Sequence, residues 1–460
     1  MTYDEAVAYL NTLVNYERTP QVQAMRAVRL SRMRRLCQRL GDPQRRFRSI
    51  LVTGTNGKGS ICAMLYAMLR ESELRAGLYT SPHLEDLRER IRVWTAGPAG
   101  EAPVHGEDWI GKDEFASVMA ELQPVLEDLR RESPEHAPTY FEAMTAAAFL
   151  HFSRRDVEMA VLEVGLGGRL DATHVVDQAV SVIGPIGVDH AEVLGRDPVL
   201  IAREKAGIIA SSHPVISAPQ SPAVEEVLRL TCESQGAPLY TCGREFTVSV
   251  QAHTLDGLQC SVTGLRGLYD SLEVPLLGRH QAQNAAASIA ALEALADAGI
   301  PHGPVERGLA LAEWPGRLEI VHDEPLVILD GAHNPHAAGA VVEALTELCR
   351  DRRIFLLIGM SSDKAIEEVG RRLGGISISA TCTRSRHPRA LDPVALAKRL
   401  SLCCPDVHAM SDPADAYTYL FNAVGPKDVI LVTGSLFLVG ELRAAIRRSH
   451  VRVRREPAAA

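Results

Sequence analysis

The chain has 460 residues, 46% hydrophobic and 23% charged, a globular composition too long for one domain of the usual ~100–200 residues. Its net charge of -8 and pI near 6.1 argue against nonspecific nucleic-acid binding, which needs a strongly basic face, and leave small anionic substrates open. No apolar run reaches the roughly 20 residues of a membrane span, the acidic start "MTYDEAVAYLNTL" does not read as a secretory signal, and nine cysteines without a C-x-x-C pair read as reduced thiols of a cytoplasmic protein, Cys403 and Cys404 included as small buried or half-buried residues.

In chain order, apolar β-branched runs alternate with helical patterns. "SILVTGT" 49–55, "AGLYTS" 76–81, "VEMAVLEVG" 157–165 and "AVSVIGPIG" 179–187 predict parallel strands buried on both faces. After the first, Ile61, Met64, Leu65, Met68 and Leu69 follow the stripe of a helix packed on that sheet. Residues 243–277, with "FTVSV" and "LQCSV", predict a small antiparallel section. "NAAASIAALEALADAG" 284–299 predicts a helix stopped by Gly299 and Pro301, and "WPGRLE" 314–319 a connector. A second series follows in "PLVILDGAHN" 325–334, "RIFLLIGM" 353–360, "SISATC" 377–382 and "DVILVTGS" 428–435, and the tail "RRSHVRVRREPAAA" is expected to fray. The fold class is therefore α/β: a P-loop-containing parallel-sheet ATPase domain over residues 1–313, with an N-terminal helical segment, then a smaller Rossmann-like α/β domain over residues 314–460.

"TGTNGKGS" 53–60 sits where a strand ends and a helix begins. A Walker A loop has a glycine five residues before the glycine-lysine pair. Here position 52 is Val, the glycines before Lys58 are Gly54 and Gly57, and Gly59 separates Lys58 from Ser60. The loop is a relative of that motif. Glycines that permit close backbone approach, a helix N-terminus and a lysine suit a phosphate, whereas a lone glycine turn capped by Ser60 would be structural. ATP is the expected ligand, on Asn56, Gly57, Lys58, Gly59 and Ser60.

Three further stretches narrow the chemistry. "LEVGLGGRLDAT" 162–173 puts Glu163 near the carboxyl end of a buried strand, where open α/β sheets hold ligands and a carboxylate must be paired or metal-bound. "GVDHAEVLG" puts His190 past another strand with Asp189 beside it, and "REKAGII" puts Lys205 in a helical segment. Taken singly, the histidine reads as a loop residue, the lysine as solvated, and the glutamate as a partner of Arg169 or a helix cap. Together with the phosphate loop, Glu163 suits Mg²⁺, which binds one or two carboxylates plus substrate phosphates.

With "TSPHL", "HQAQNAAASIAAL", "PGRLE", "DGAHNPHAA" and "VTGSLFLVGELR" these stretches stand in the order of the folylpolyglutamate synthase/dihydrofolate synthase family, a branch of the Mur ligase superfamily, which the chain resembles over about residues 49–440. The resemblance implies Mur ligase-type domains and an ATP-dependent amide ligase. Such an enzyme phosphorylates the carboxylate of dihydropteroate or tetrahydrofolate, lets the amino group of L-glutamate attack the acyl phosphate, and releases ADP and phosphate. It further implies Ser81 and Glu163 as ligands of Mg²⁺, with Glu163, His190 and a carbamylated Lys205 at a second ion. Asn284, Arg317 and Asp330 correspond to nucleotide contacts, His333 to an active-site residue in the same turn, and Phe141, Arg169 and Asp171 to the pteroate or folate pocket. The ATP site is expected to close between the domains, in a cytoplasmic monomer with no nucleic-acid or membrane partner.

The sequence departs from the family at Ala365, where an acid is frequent, and in "NYERTPQVQAMRAVRLSRMRRL" 15–36, a region that helps contain the pterin in bifunctional members. Competing readings are another Mur-type ligase acting on a cell-wall nucleotide precursor and a catalytically silent nucleotide-binding module. The joint presence of Lys58, Glu163, His190 and Lys205 opposes the silent module. A simple kinase fits less well, because of the loop spacing.

Overall fold

The structure, a computed structural model, describes residues 1–18, 30–72, 74–94, 108–133, 137–189, 191–297 and 304–453. Part of the early segment (19–29), His190, Gly299, Pro301 and the tail 454–460 lie outside the described residues. Two compact units emerge. One comprises Met1–Ala252, Gln259–Pro275 and Gln281–Glu313, the other His253–Leu258, Leu276–His280 and Trp314–Ala460. The second thus takes two short stretches from the region that sequence assigns to the first domain.

Among the described residues the main sheet of the first unit has seven strands: β1 (Arg48–Thr53), β2 (Ala76–Tyr79), β3 (Ile91–Trp94), β4 (Met159–Glu163), β5 (Asp177–Ile183), β6 (Val215–Ser217) and β7 (Leu239–Thr241), in the order β3-β2-β4-β1-β5-β6-β7. All pairs are parallel except β2 with β3 at the edge. Ile50, Leu51, Val52, Val161 and Leu162 are fully buried, so both faces of the central strands are covered and the sequence runs apolar without alternation. The helices are α1 (Tyr3–Leu10), α2 (Leu30–Arg39), α3 (Lys58–Arg70), α4 (Lys112–Glu132), α5 (Tyr140–Arg154), α6 (Ala191–Leu194), α7 (Pro198–Ala206), α8 (Pro222–Gln235), α9 (His280–Asp297) and α10 (Val305–Ala310). Thr139 starts α5 with a reciprocal capping box to Glu142, and Asp197 caps α7 ahead of Pro198. Helix α9 begins at His280, one turn before the expected Asn284, because Gly278 at φ +100° turns the chain just ahead of it. The expected small section is the three-stranded sheet β8 (Thr247–Thr254), β9 (Gly257–Thr263) and β10 (Leu268–Val274).

The second unit holds β11 (Glu319–Asp323), β12 (Leu326–Leu329), β13 (Ile354–Ile358), β14 (Ser377–Cys382), β15 (Val407–Ala409) and β16 (Val429–Thr433), ordered β11-β12-β16-β13-β14-β15. Its helices are α11 (Pro335–Leu348), α12 (Ile366–Gly374), α13 (Pro393–Leu400), α14 (Pro413–Ala423) and α15 (Leu436–Val453). Here sequence and structure differ twice. "WPGRLE" ends in a strand, since Glu319 opens β11 antiparallel to β12. The start of the basic tail continues α15 as far as Val453. All nine cysteines are free thiols, Cys404 buried and Cys403 half-buried, and among the described residues no helix is long and apolar enough to cross a membrane.

Candidate active site

Strand β1 lies between β4 and β5, and the chain leaves it for β2 on one side before returning to β5 on the other. Its carboxyl end is therefore a switch point of the sheet, where such folds bind ligands. Val52 pairs in register with Glu163, and Thr53 with Ile183. These pairings bring the phosphate loop, the strand-end carboxylate and the turn after β5 to one edge.

The loop after β1 is set by its glycines. Gly57 stands at φ +80°, and a Cβ there would lie 2.8 Å from Asn284 Oδ1. Gly54 packs on Gly184, where a Cβ would meet its Cα at 3.0 Å. The amides of Thr55 and Asn56 donate to Pro185 O at 2.9 and 3.3 Å, and the Thr55 hydroxyl donates to Gly187 O at 2.9 Å. Helix α3 then starts at Lys58 without a side-chain cap; the amide donors of its first turn have no intrahelical acceptor and face the position suited to an anion. Ser60 does not cap this helix, since Gly57 holds the N-cap position.

Two amines converge on one carbonyl. Lys58 Nζ donates to Gly54 O at 3.1 Å and Lys205 Nζ donates to the same oxygen at 2.8 Å. Lys205 is buried, so desolvation first, then the Lys58 charge, push its amine down from 10.5 to about 7, against the opposing pull of Asp189 and Asp171. Glu163 is also buried, and its Oε2 accepts the Ser81 amide at 3.0 Å. Ser81 and Glu163 thus stand together at the ends of β2 and β4. Among the described residues no three His, Cys, Asp or Glu side chains cluster as a metal site. The local donors are instead oxygens, a set that suits Mg²⁺ completed by phosphate and water.

Arg169 pairs with Glu204 at 3.1 Å, leaving Glu163 to Ser81. Asp171 is buried and turned into its own loop, accepting the Gly165 and Leu166 amides at 3.1 and 3.0 Å and the Thr173 hydroxyl at 2.7 Å. Burial holds its carboxyl above the usual carboxylate range, against those bonds. The Phe141 ring covers Gly165, where a Cβ would meet Cζ at 2.5 Å, and lies 6.1 Å from the Tyr79 ring. Asn284 donates from Nδ2 to Gln281 Oε1 at 2.9 Å, which turns its Oδ1 toward Gly57.

In the second unit, the buried Asp330 at the end of β12 accepts the Leu318 and Ala332 amides at 2.9 and 2.8 Å, closing the turn that carries His333. Burial raises the Asp330 carboxyl, opposed by the Arg317 charge. Arg317 NH1 reaches its own turn at Gly316 O, 3.1 Å away, and His333 Nδ1 lies 2.8 Å from Gly331 O.

The sequence reading missed Thr53, whose buried hydroxyl donates to Gly167 O at 2.9 Å. It also missed Arg90, buried between Glu17 (2.7 Å) and His83 Nδ1 (2.9 Å). Thr53 heads a quoted motif and could have been found there; Arg90 gives no local signal, because Glu17 is distant in sequence.

Comparison with known proteins gives a Mur ligase middle domain over residues 111–292 and a "Mur ligase, glutamate ligase domain" over residues 316–436. A Bacillus subtilis protein named dihydrofolate synthase/folylpolyglutamate synthase is 34% identical over 91% of this chain and 95% of its own. An Escherichia coli structure, FolC in complex with DHPP and ADP, superposes with a TM-score of 0.84 at 30% identity, covering 98% of this chain and 99% of that one. A Yersinia pestis bifunctional folylpolyglutamate synthase/dihydrofolate synthase complexed with AMPPNP and Mn ion gives 0.81 at 29% identity, covering 97% and 98%.

Proposed function

The chain belongs to the folylpolyglutamate synthase/dihydrofolate synthase family of Mur ligases, and from that premise we propose that it is an ATP-dependent ligase joining L-glutamate to dihydropteroate and to tetrahydrofolate. The observation that carries this reading is the meeting of Lys58 and Lys205 on the Gly54 carbonyl at the switch point where β4 delivers the buried Glu163.

A carboxylate is a poor electrophile. Transfer of the ATP γ-phosphoryl group to a carboxylate oxygen makes a mixed anhydride and ADP; the glutamate amine attacks the carbonyl carbon, loses a proton, and expels phosphate. The α3 amino terminus, from Gly57 through Ser60, with Asn56, cradles the phosphates, and Lys58 leaves the Gly54 carbonyl to offset charge on the transferring group. Asn284, held by Gln281 against Gly57, serves the nucleotide, as do Arg317 and Asp330, and His333 serves the reacting groups. Phe141 and the Arg169 loop border the pteroate side.

Ser81, Glu163, His190 and Lys205 are the residues that would hold Mg²⁺, as two ions. Bound there, Mg²⁺ supplies charge neutralisation on the phosphate oxygens. Lys205 contributes as a carbamate: its neutral amine adds to CO₂, a nitrogen–carbon bond forms, a proton leaves to solvent, and an anionic oxygen ligand results. An amine held near 7 supplies the neutral nucleophile that this addition requires. The domains are assigned as residues 1–313, a Mur ligase-type ATP-binding domain with an N-terminal helical segment, and 314–460, a C-terminal Mur ligase-type α/β domain, in a cytoplasmic monomer.

The test is phosphate release from ATP with glutamate present, comparing dihydropteroate, tetrahydrofolate and no acceptor, with products identified by mass. Turnover on both acceptors is expected. Turnover on tetrahydrofolate alone would remove the synthase activity, and turnover on neither, with ADP still bound, would overturn the reading.

A further inference from the structure

The glycine-rich loop after β4 touches both sides of the two-lysine contact. Toward β1, the Thr53 hydroxyl donates to Gly167 O at 2.9 Å. Toward α7, the Arg169 amide donates to Glu204 O at 3.0 Å. A Cβ on Gly168 would lie 2.9 Å from Lys205 O, and one on Gly207 would lie 2.2 Å from Arg169 Cβ, so loop and helix end meet with no spare room. Lys205 Nζ then returns to Gly54 O at 2.8 Å, on the residue that follows Thr53. The path is a closed circuit: Thr53, Gly167, Arg169, Glu204, Lys205, Gly54.

Asp171 stiffens this circuit from within. One carboxylate oxygen gathers the Gly165 and Leu166 amides at 3.1 and 3.0 Å, and the other takes the Thr173 amide at 3.0 Å and its hydroxyl at 2.7 Å. Four donors fill the acceptor capacity of a carboxylate, so the side chain is committed to the loop. We infer that the loop is a brace fixing Lys205 against the phosphate loop, with Thr53 and Asp171 as its positioning residues. The inference rests on the proposed role of Lys205. Placement matters because supporting groups behind a metal ligand hold its donor atom in the productive position.

The test uses the full chain equilibrated with ¹³C-bicarbonate, the carbamate being read by ¹³C NMR, beside kcat and the KM for ATP. Thr53→Val and Asp171→Asn are expected to raise the bicarbonate needed for half-occupancy, and to lower kcat, by about tenfold, with the KM for ATP moving little. Thr53→Ser restores both. Leu122→Ala, a core truncation on α4, controls for stability, lowering Tm without moving occupancy. Wild-type occupancy and kcat in Thr53→Val would overturn the inference. A wild-type enzyme that ligates glutamate with no carbamate signal would instead overturn the carbamate reading; the brace is then judged by kcat, and an unchanged kcat in Thr53→Val sinks it.

Discussion

Lys58 and Lys205 donate to the same carbonyl oxygen, that of Gly54, at 3.1 and 2.8 Å. Lys205 is buried, so its ammonium loses solvation first and faces the Lys58 charge second. Lys205 therefore yields, its amine lying at about 7 against 10.5 in the unfolded chain.

That shift fixes a stability signature for the ligand-free protein in CO₂-free buffer. Between pH 7 and 10.5 the unfolded chain binds a proton at Lys205 that the folded chain does not, so stability rises with pH through this window. The gain across it is of the order of 5 kcal/mol. Lys205→Met removes it. Urea midpoints measured against pH for both proteins should converge at high pH and differ in slope between 7 and 10.5; parallel curves would mean that Lys205 titrates normally.

Gly57→Ala should uncouple nucleotide binding from folding. The added Cβ meets Asn284 Oδ1 at 2.8 Å and must adopt φ +80°, a strain of about 1–2 kcal/mol. We expect ADP affinity in calorimetry to fall about tenfold or more while the protein stays folded. Unchanged affinity would show that the phosphates bind elsewhere.

Glu163→Gln keeps an oxygen for the Ser81 amide, now at 3.0 Å, but removes the charge. Activity should drop about hundredfold and the Mg²⁺ requirement rise, with ADP binding in chelator unaffected. A variant with the wild-type Mg²⁺ dependence would exclude Glu163 as a ligand.

Glu293, buried on α9, accepts the Leu265, Arg266 and Gly267 amides and the Tyr269 hydroxyl, at 2.5, 3.2, 3.1 and 3.1 Å. Glu293→Gln turns an amide NH₂ against those donors and should cost about 1–3 kcal/mol in urea unfolding. Nucleotide affinity should not change. An unmoved midpoint would mean that the loop repacks freely.

The central strands were legible because burial on both faces writes itself as an unbroken apolar run, as in "SILVT" and "MAVLE". The strands at or next to the sheet edges, β3, β6, β7, β11 and β15, were not, since their short sequences lack such an unbroken apolar run. Lys58, Glu163 and Lys205 could be picked out because their motifs are local. What sequence could not supply was the partner of each: Gly54 O for Lys205 across 151 positions, Gly167 O for Thr53 across 114, and Glu17 for Arg90 across 73. The loop after Glu163 was legible as a motif, but not the hydrogen bonds by which Asp171 takes the Gly165 and Leu166 amides and the Thr173 hydroxyl. Only the folded loop reveals where a carboxylate spends its acceptors.

The central claim is that the γ-phosphoryl group passes to the acceptor carboxylate, and oxygen tracing tests it most directly. Dihydropteroate carrying ¹⁸O at both carboxylate oxygens is turned over with ATP and glutamate, and the released phosphate is analysed by mass. The account predicts one labelled oxygen in each phosphate released, matched by one amide product formed. Unlabelled phosphate accompanying the amide product would contradict it.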